Sequence, residues 1–181
     1  MEKQILVAGF GGQGVLSIGL FLTHSALMEG RNVSWLPSYG AEMRGGTANC
    51  MVTMADEEIC SPLTEYPMHA IIMNRPSLDK FETKVKTGGF IVLNTSLVDR
   101  EVERDDLQVL KIPVTKTAEE MGFVQAANMV ILGAFIQKSQ VVAIDSAIKC
   151  FETVFKGKKA KNLERNRSAF MAGIEYANKN W

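Results

Sequence analysis

The sequence predicts an α/β fold in one domain over residues 1–181, a mainly parallel sheet with helices on both faces and one β-hairpin excursion. Three observations predict it. A short apolar run at residues 4–8 ends in a glycine-rich turn and gives way to helical spacing over residues 15–28. Further short apolar runs alternate with helical segments along the rest of the chain, as parallel strands joined by crossover helices require. No repeat, low-complexity tract or Pro/Ser-rich linker divides the 181 residues, a length that one core accommodates.

In chain order, residues 4–8 read as a buried strand, and Gly9-Phe10-Gly11-Gly12-Gln13-Gly14 as the turn into a helix in which Leu16, Leu20 and Leu27 recur at helical spacing. Residues 32–36 are a second strand stopped by Pro37, whose ring lacks the N–H a ladder needs. The polar, glycine-bearing residues 38–46 show no period and read as a surface loop. A strand resumes over 47–54; Asp56-Glu57-Glu58 is a turn, and Ile59-Cys60 is expected to pair back before Pro62 and complete the hairpin. Residues 69–74 and 89–93 are buried strands on either side of a helix at 77–85, and 107–114 is another strand with Pro113 near its end. Helices are expected over 115–121, after a threonine cap, and over 126–137, 143–155 and 160–178. The basic stretch 156–161 reads as a solvated helix start, with an arm packed on a partner subunit as the alternative.

Composition excludes several function classes. Apolar residues at 46% and charged residues at 22% are ordinary for a globular chain. Twenty basic residues balance twenty acidic ones, so the positive field that nucleic-acid binding depends on is missing. Lys3 is the only basic residue ahead of the first apolar run, and glycines interrupt that run where a signal peptide keeps an apolar core, so a cytoplasmic location is expected. The longest apolar run, residues 129–136, falls far short of the roughly 20 residues of a membrane span. Cys50, Cys60 and Cys150 are an odd set without CxxC spacing, whereas an iron–sulfur cluster or structural zinc site calls for four ligands, so no metal site is expected in this chain. His24 and His69 stand alone and read as structural or merely solvated.

The turn from Gly9 to Gly14 fits G-x-G-x-x-G directly after a strand and at the mouth of a helix. Gly9, Gly11, Gly12 and Gly14 permit backbone angles that other residues resist, and with Gln13 they would let an anion approach N–H groups at the positive end of a helix. The alternative is a turn that only packs strand against helix. A dinucleotide site also wants an acid at the end of the second strand, where this chain has Ser34, Trp35 and Leu36, with Glu29 ahead of the strand. A P-loop wants Gly-Lys-Ser/Thr, and the chain has Gly14-Val15-Leu16.

A helix end contributes only about 0.3–1 kcal/mol to an anion, against about 8 kcal/mol for a micromolar ligand. Other groups must help, and Ser38, Tyr39, Arg44, Gly45, Gly46 and Thr47 are the candidates if their loop folds over the end of the sheet. Against this, Arg44 would pair with Glu42 or a neighbouring subunit, and Gly45-Gly46 would simply start the next strand. Asn128 opens an apolar helix, either as its N-cap or as a ligand contact. No Ser/His/Asp, Cys/His or paired-carboxylate set suggests catalysis.

Taken together, Gly9-Phe-Gly-Gly-Gln-Gly-Val15, Ser38-Tyr-Gly-Ala-Glu-Met-Arg-Gly-Gly-Thr47 and Ala127-Asn-Met-Val-Ile-Leu-Gly-Ala134 resemble the gamma subunit of 2-oxoacid:ferredoxin oxidoreductases, the pyruvate/ketoisovalerate ferredoxin oxidoreductase gamma family, over nearly the whole chain. That resemblance implies a multi-subunit enzyme that converts a 2-oxoacid, coenzyme A and oxidised ferredoxin into acyl-CoA, carbon dioxide and reduced ferredoxin. It implies alpha and beta subunits that bind thiamine diphosphate with Mg2+, and a ferredoxin-like delta subunit or region that carries iron–sulfur clusters. It further implies that this chain binds no cofactor alone, is inactive in isolation, and helps form the side on which coenzyme A arrives. Glu42-Met43-Arg44-Gly45-Gly46 looks more like the 2-oxoglutarate or general 2-oxoacid branch than the indolepyruvate branch. A purely structural subunit, or a stand-alone nucleotide-binding oxidoreductase, are the rival readings.

Overall fold

The computed structural model describes residues 2–40 and 45–181. Six strands, β1 (Lys3–Phe10), β2 (Asn32–Tyr39), β3 (Thr47–Ala55), β4 (His69–Ile72), β5 (Phe90–Asn94) and β6 (Gln108–Ile112), form one sheet in the order β2-β3-β1-β4-β5-β6. β1, β4, β5 and β6 run parallel, and β3 lies antiparallel between β1 and β2. Among the described residues the helices are α1 (Val15–Met28), α2 (Arg75–Phe81), α3 (Val114–Glu120), α4 (Ala127–Ser139), α5 (Ile144–Val154) and α6 (Leu163–Asn180).

Period-two alternation assigns the strand side chains to two cores. Ile5, Val7, Val52, Ile71, Val92 and Leu110 face the larger one, which α1 and α3 to α6 cover. Leu6, Ala8, Ala70, Ile72, Ile91 and Leu93 face the smaller one, under α2 and the segment bearing Val98, Val102 and Leu107. Parallel strands buried on both faces carry near-continuous apolar runs, as HAII and FIVLN do.

Several local expectations are corrected. The hairpin is β2 with β3, in register from Asn32↔Ala55 to Tyr39↔Ala48, and Ile59-Cys60 pairs with nothing in the sheet. Pro37 does not end β2, because β2 is the edge strand and an absent N–H is tolerated on its open side. β4 stops at Ile72 because Asn74 turns to cap α2, its side chain accepting from the Ser77 N–H at 3.0 Å. α2 closes at Phe81 in a 3-10 turn, Glu82–Lys84. No threonine caps α3: Pro113 occupies that position, Thr115 accepts from Asn94 Nδ2, and Thr117 Oγ1 donates to the Pro113 carbonyl. A 3-10 turn, Gly157–Asn162, separates α5 from α6.

Two glycines set the distance between α4 and α6. A β-carbon on Gly133 would collide with the Phe170 carbonyl, and one on Gly173 with the Val130 carbonyl, so the helices touch backbone to backbone. That approach holds Asn128, near the start of α4, at the C-terminal edge of the sheet, where ligands bind in open α/β folds.

Candidate functional site

The glycine turn is shaped by positive φ at Gly12 (98°) and Gly14 (76°), angles that L side chains resist. Gly9 is needed for a different reason. A β-carbon there would lie 2.7 Å from Gln13 Oε1 and 2.8 Å from Met73 Cβ. Gln13 turns inward and staples the turn to β4. Its Oε1 accepts from the Phe10 N–H at 2.6 Å and from Asn74 Nδ2 at 3.3 Å, and its Nε2 donates to the Met73 carbonyl at 3.4 Å. That carbonyl also accepts from Asn94 Nδ2 at 3.2 Å. The side chains of Gln13, Asn74, Asn94 and Thr115 thus tie together the ends of β1, β4 and β5. Asn74 and Asn94 were not singled out from sequence; an asparagine directly following each apolar strand run was the available signal.

The loop between β2 and β3 meets the same turn. The Gly11 N–H donates to the Gly46 carbonyl at 2.8 Å, and the Gly45 N–H donates to the Gly11 carbonyl at 3.3 Å. Thr47 opens β3 opposite Phe10, and its carbonyl accepts from the Gly40 N–H. Gly45 has φ 77°, so it too relies on glycine's freedom. Arg44, with Glu42 and Met43, lies outside the described residues.

From the third motif, Asn128 approaches from beneath. Its carboxamide fills the space a Gly14 β-carbon would need, and its Oδ1 is buried without a hydrogen-bond partner among the described residues. It is not the N-cap of α4, a position held by Ala126. The three separated motifs therefore converge on one turn, Gly45 and Gly46 through backbone bonds and Asn128 through close packing.

Beside the turn opens a cavity of about 350 Å³, lined by Gly11, Gly12, Gly14, Leu16, Tyr39 and Ala48 among others, whereas Gly45 and Gly46 do not line it and Asn128 lines a separate hollow of about 240 Å³. Tyr39 belongs to the strand face shared with Gly9 and Ala48, whereas Ser38 points to the opposite face and does not line it. α1 starts at this cavity with no side-chain cap and no acidic residue in its first turn. A helix start with uncapped N–H groups and a positive dipole end suits an anion, and nothing lies within 4 Å of where a Gly12 β-carbon would stand.

The cysteines do not gather. Cys50 and Cys150 are buried and Cys60 is exposed; burial pushes the Cys50 thiol up to about 12 and raises Cys150 as well. Among the described residues no three His, Cys, Asp or Glu side chains cluster as metal ligands. Nor is any described helix long and apolar enough to cross a membrane.

Comparison with known proteins gives a family model, pyruvate ferredoxin/flavodoxin oxidoreductase, matching residues 4–176. The chain is 37% identical to ketoisovalerate oxidoreductase subunit VorA of Methanothermobacter marburgensis over 99% of its own length, yet spans only 37% of that relative. It is 34% identical to 2-oxoglutarate synthase subunit KorC of the same organism, covering 97% of this chain and 96% of that one. Among solved structures, a keto/oxoacid ferredoxin oxidoreductase gamma subunit from Geobacter sulfurreducens superposes with a TM-score of 0.83 at 27% identity, covering 98% of this chain and 99% of that one. A 2-oxoglutarate:ferredoxin oxidoreductase from Magnetococcus marinus, solved with 2-oxoglutarate, coenzyme A and succinyl-CoA bound, matches with a TM-score of 0.87 at 26% identity, over 98% of this chain and 31% of that one.

Proposed function

Because the chain belongs to the pyruvate ferredoxin/flavodoxin oxidoreductase family, we propose that it is the gamma-type subunit of a multi-subunit 2-oxoacid:ferredoxin oxidoreductase and that its glycine turn receives the phosphates of coenzyme A. One observation carries the second half: the uncapped start of α1 opens onto a cavity built from the first two motifs and braced by the third. Coenzyme A bound in the Magnetococcus marinus relative supports the ligand class. A cavity of about 350 Å³ is at the small end for a ligand site, so it suits a pyrophosphate with its near surroundings and not the whole coenzyme. Tyr39 and Arg44 are assigned to the ligand alongside the turn, and a neighbouring subunit supplies the remaining binding energy.

The chain's own residues bind and orient. The scattered cysteines do not fit a cluster, so iron–sulfur and thiamine diphosphate chemistry is assigned to the alpha, beta and delta chains of the complex. The oxoacid we assign is 2-oxoglutarate, on the end-to-end match with KorC. The somewhat higher identity to VorA makes ketoisovalerate the second reading.

Isolation of the native complex through a tag on this chain, followed by assay of oxoacid- and coenzyme A-dependent viologen reduction with an oxoacid panel, tests both halves. Thiamine-binding partners with such activity are expected. A chain that purifies alone and binds a nicotinamide cofactor overturns the reading. Within the complex, Gly12→Asp and Arg44→Ala should raise the KM for coenzyme A; an unchanged KM with normal assembly would leave only a structural role for the turn.

A further inference from the structure

The helix that starts at the glycine turn carries no charged side chain, and on its outer side Ser17, Thr23 and His24 accompany Leu16, Leu20, Leu27 and Met28. Val15–Met28 contains no Asp, Glu, Lys or Arg, and His24 is its only ionisable residue. Ile18, Phe21, Leu22 and Ser25 face the core. On the opposite side Leu20 is 38% exposed and Leu27 51% exposed, with Leu16 and Thr23 part-buried between and beside them. An outer side without charge and with several exposed leucines is suited to burial, and among the described residues nothing of this chain covers Leu20 or Leu27.

The spacing indicates what kind of cover. Leu16, Leu20, Thr23 and Leu27 follow one another at intervals of four, three and four, the stripe that one helix presents to another. Thr23 adds no unsatisfied donor, because its Oγ1 already donates to the Gly19 carbonyl at 2.9 Å. Two hollows adjoin the first half of the stripe, the cavity that Leu16 shares with Tyr39 and one of about 240 Å³ that Leu20 shares with Phe123 and Phe155, and Ser17 lines both. Recesses beside a row of apolar side chains give a second helix room to pack.

Some relatives carry this unit within longer chains. This unit makes up only 37% of the VorA chains and 31% of the Magnetococcus marinus chain, so in those proteins it is continuous with a much larger polypeptide. We propose that the Leu16–Leu20–Thr23–Leu27 stripe is covered by an uncharged, leucine-rich helix face of the separate subunit that corresponds to the rest of those longer chains. The proposal rests on the subunit reading above and adds to it the docking surface and the chemistry of what docks there. It places the interface alongside the coenzyme cavity, so assembly closes one wall of the site.

The test combines a tagged chain carrying Leu20→Glu with Leu27→Glu, a control carrying Lys84→Glu on the face covered by α2, and a photo-crosslinking residue at position 27 of the otherwise native chain. Both changed leucines are surface-exposed, so a native circular-dichroism melt is expected. Co-purification of the partner chain should fall at least tenfold for the double variant and stay unchanged for the control. The crosslink should map, by mass spectrometry, to an apolar helical segment of a chain similar to the VorA sequence outside the matched region. Undiminished co-purification by the folded double variant overturns the proposal, as does a crosslink to a second copy of this chain, to a loop, or to nothing. If the double variant misfolds, the crosslink alone decides. A native chain that brings no partner overturns the subunit reading and this proposal with it, whereas a partner retained by the double variant overturns the proposal alone.

Discussion

The carboxamide of Asn128 occupies the space in which Gly14 would carry a β-carbon. Glycine at position 14 thus answers two demands at once, a left-handed backbone at φ 76° and room for a side chain from the far end of the chain. Gly14→Ala should cost about 1–2 kcal/mol for the backbone and about 1–3 kcal/mol for overpacking. Adding Asn128→Ala should recover the second part and leave the first, a coupling that urea unfolding of the two single variants and the double would measure. Additive losses would mean the two residues do not meet.

Tyr39 lines the cavity from the edge strand and is more than half exposed, so its removal leaves the core intact. Tyr39→Ala should leave the melting temperature within a degree or two and raise the KM for coenzyme A severalfold in the assembled enzyme, with a smaller change in kcat. A KM unmoved at full assembly would remove Tyr39 from the site.

His69 is buried among Phe90 and Phe135, and among the described residues neither ring nitrogen has a hydrogen-bond partner. Burial lowers its pKa from 6.5 to about 4, with Lys3 adding to the shift. The folded chain therefore resists a proton that the unfolded chain takes up. This contribution is fully present above pH 6.5 and is lost as the pH falls toward 4, with a total on the order of 3 kcal/mol. In His69→Phe, denaturation followed from pH 7 to pH 4 should show a flatter stability profile. A profile as steep as the native one would place the titrating group elsewhere.

Glu82 is a buried carboxylate, 4% exposed, that accepts from the Arg104 N–H at 3.0 Å and meets Arg100 at 2.8 Å, pinning the segment near Val102 over the smaller core. Glu82→Ala leaves Arg100 with Asp79 but strands the Glu103 and Arg104 N–H groups that Glu82 accepts from, and should cost about 1–3 kcal/mol. Asp79 on the exposed side of Arg100 is half exposed, and its replacement by alanine should cost under about 1 kcal/mol. Chemical denaturation of the two variants should therefore differ clearly; equal losses would contradict the burial argument.

Gly133→Ala and Gly173→Ala should each destabilise by about 3 kcal/mol or more, since the new methyl meets a rigid carbonyl of the opposing helix and not a movable side chain. Both should also shift Asn128 and so raise the KM for coenzyme A. Thermal melts within a degree of the native value would show that α4 and α6 separate more easily than their contact implies.

Much of the fold was legible because it is written locally. An apolar run, a glycine turn and helical spacing over residues 15–28 gave β1 and α1 to within a residue or two, and α4, α5 and the buried strands followed from the same period. Where reading failed, a local rule met a distant partner. Pro37 breaks a ladder only if its missing N–H is needed, and at the sheet edge it is not. Asn128 resembles a cap, but the turn over Val124–Ala126 already delivers the chain to the helix and leaves its side chain for Gly14.

By itself the sequence determined that a glycine turn follows the first strand, which runs are buried and that three motifs set the family likeness, because turn-permitting residues and side-chain periodicity are properties of neighbouring residues. Only the tertiary structure decided that Gly11 bonds Gly46, that β2 and not Ile59-Cys60 closes the hairpin on β3, and that Asn128 lies beneath Gly14. Those pairings join residues many positions apart, and which strand edges and helix faces meet depends on burying the whole apolar surface at once, not on the preferences of any one segment.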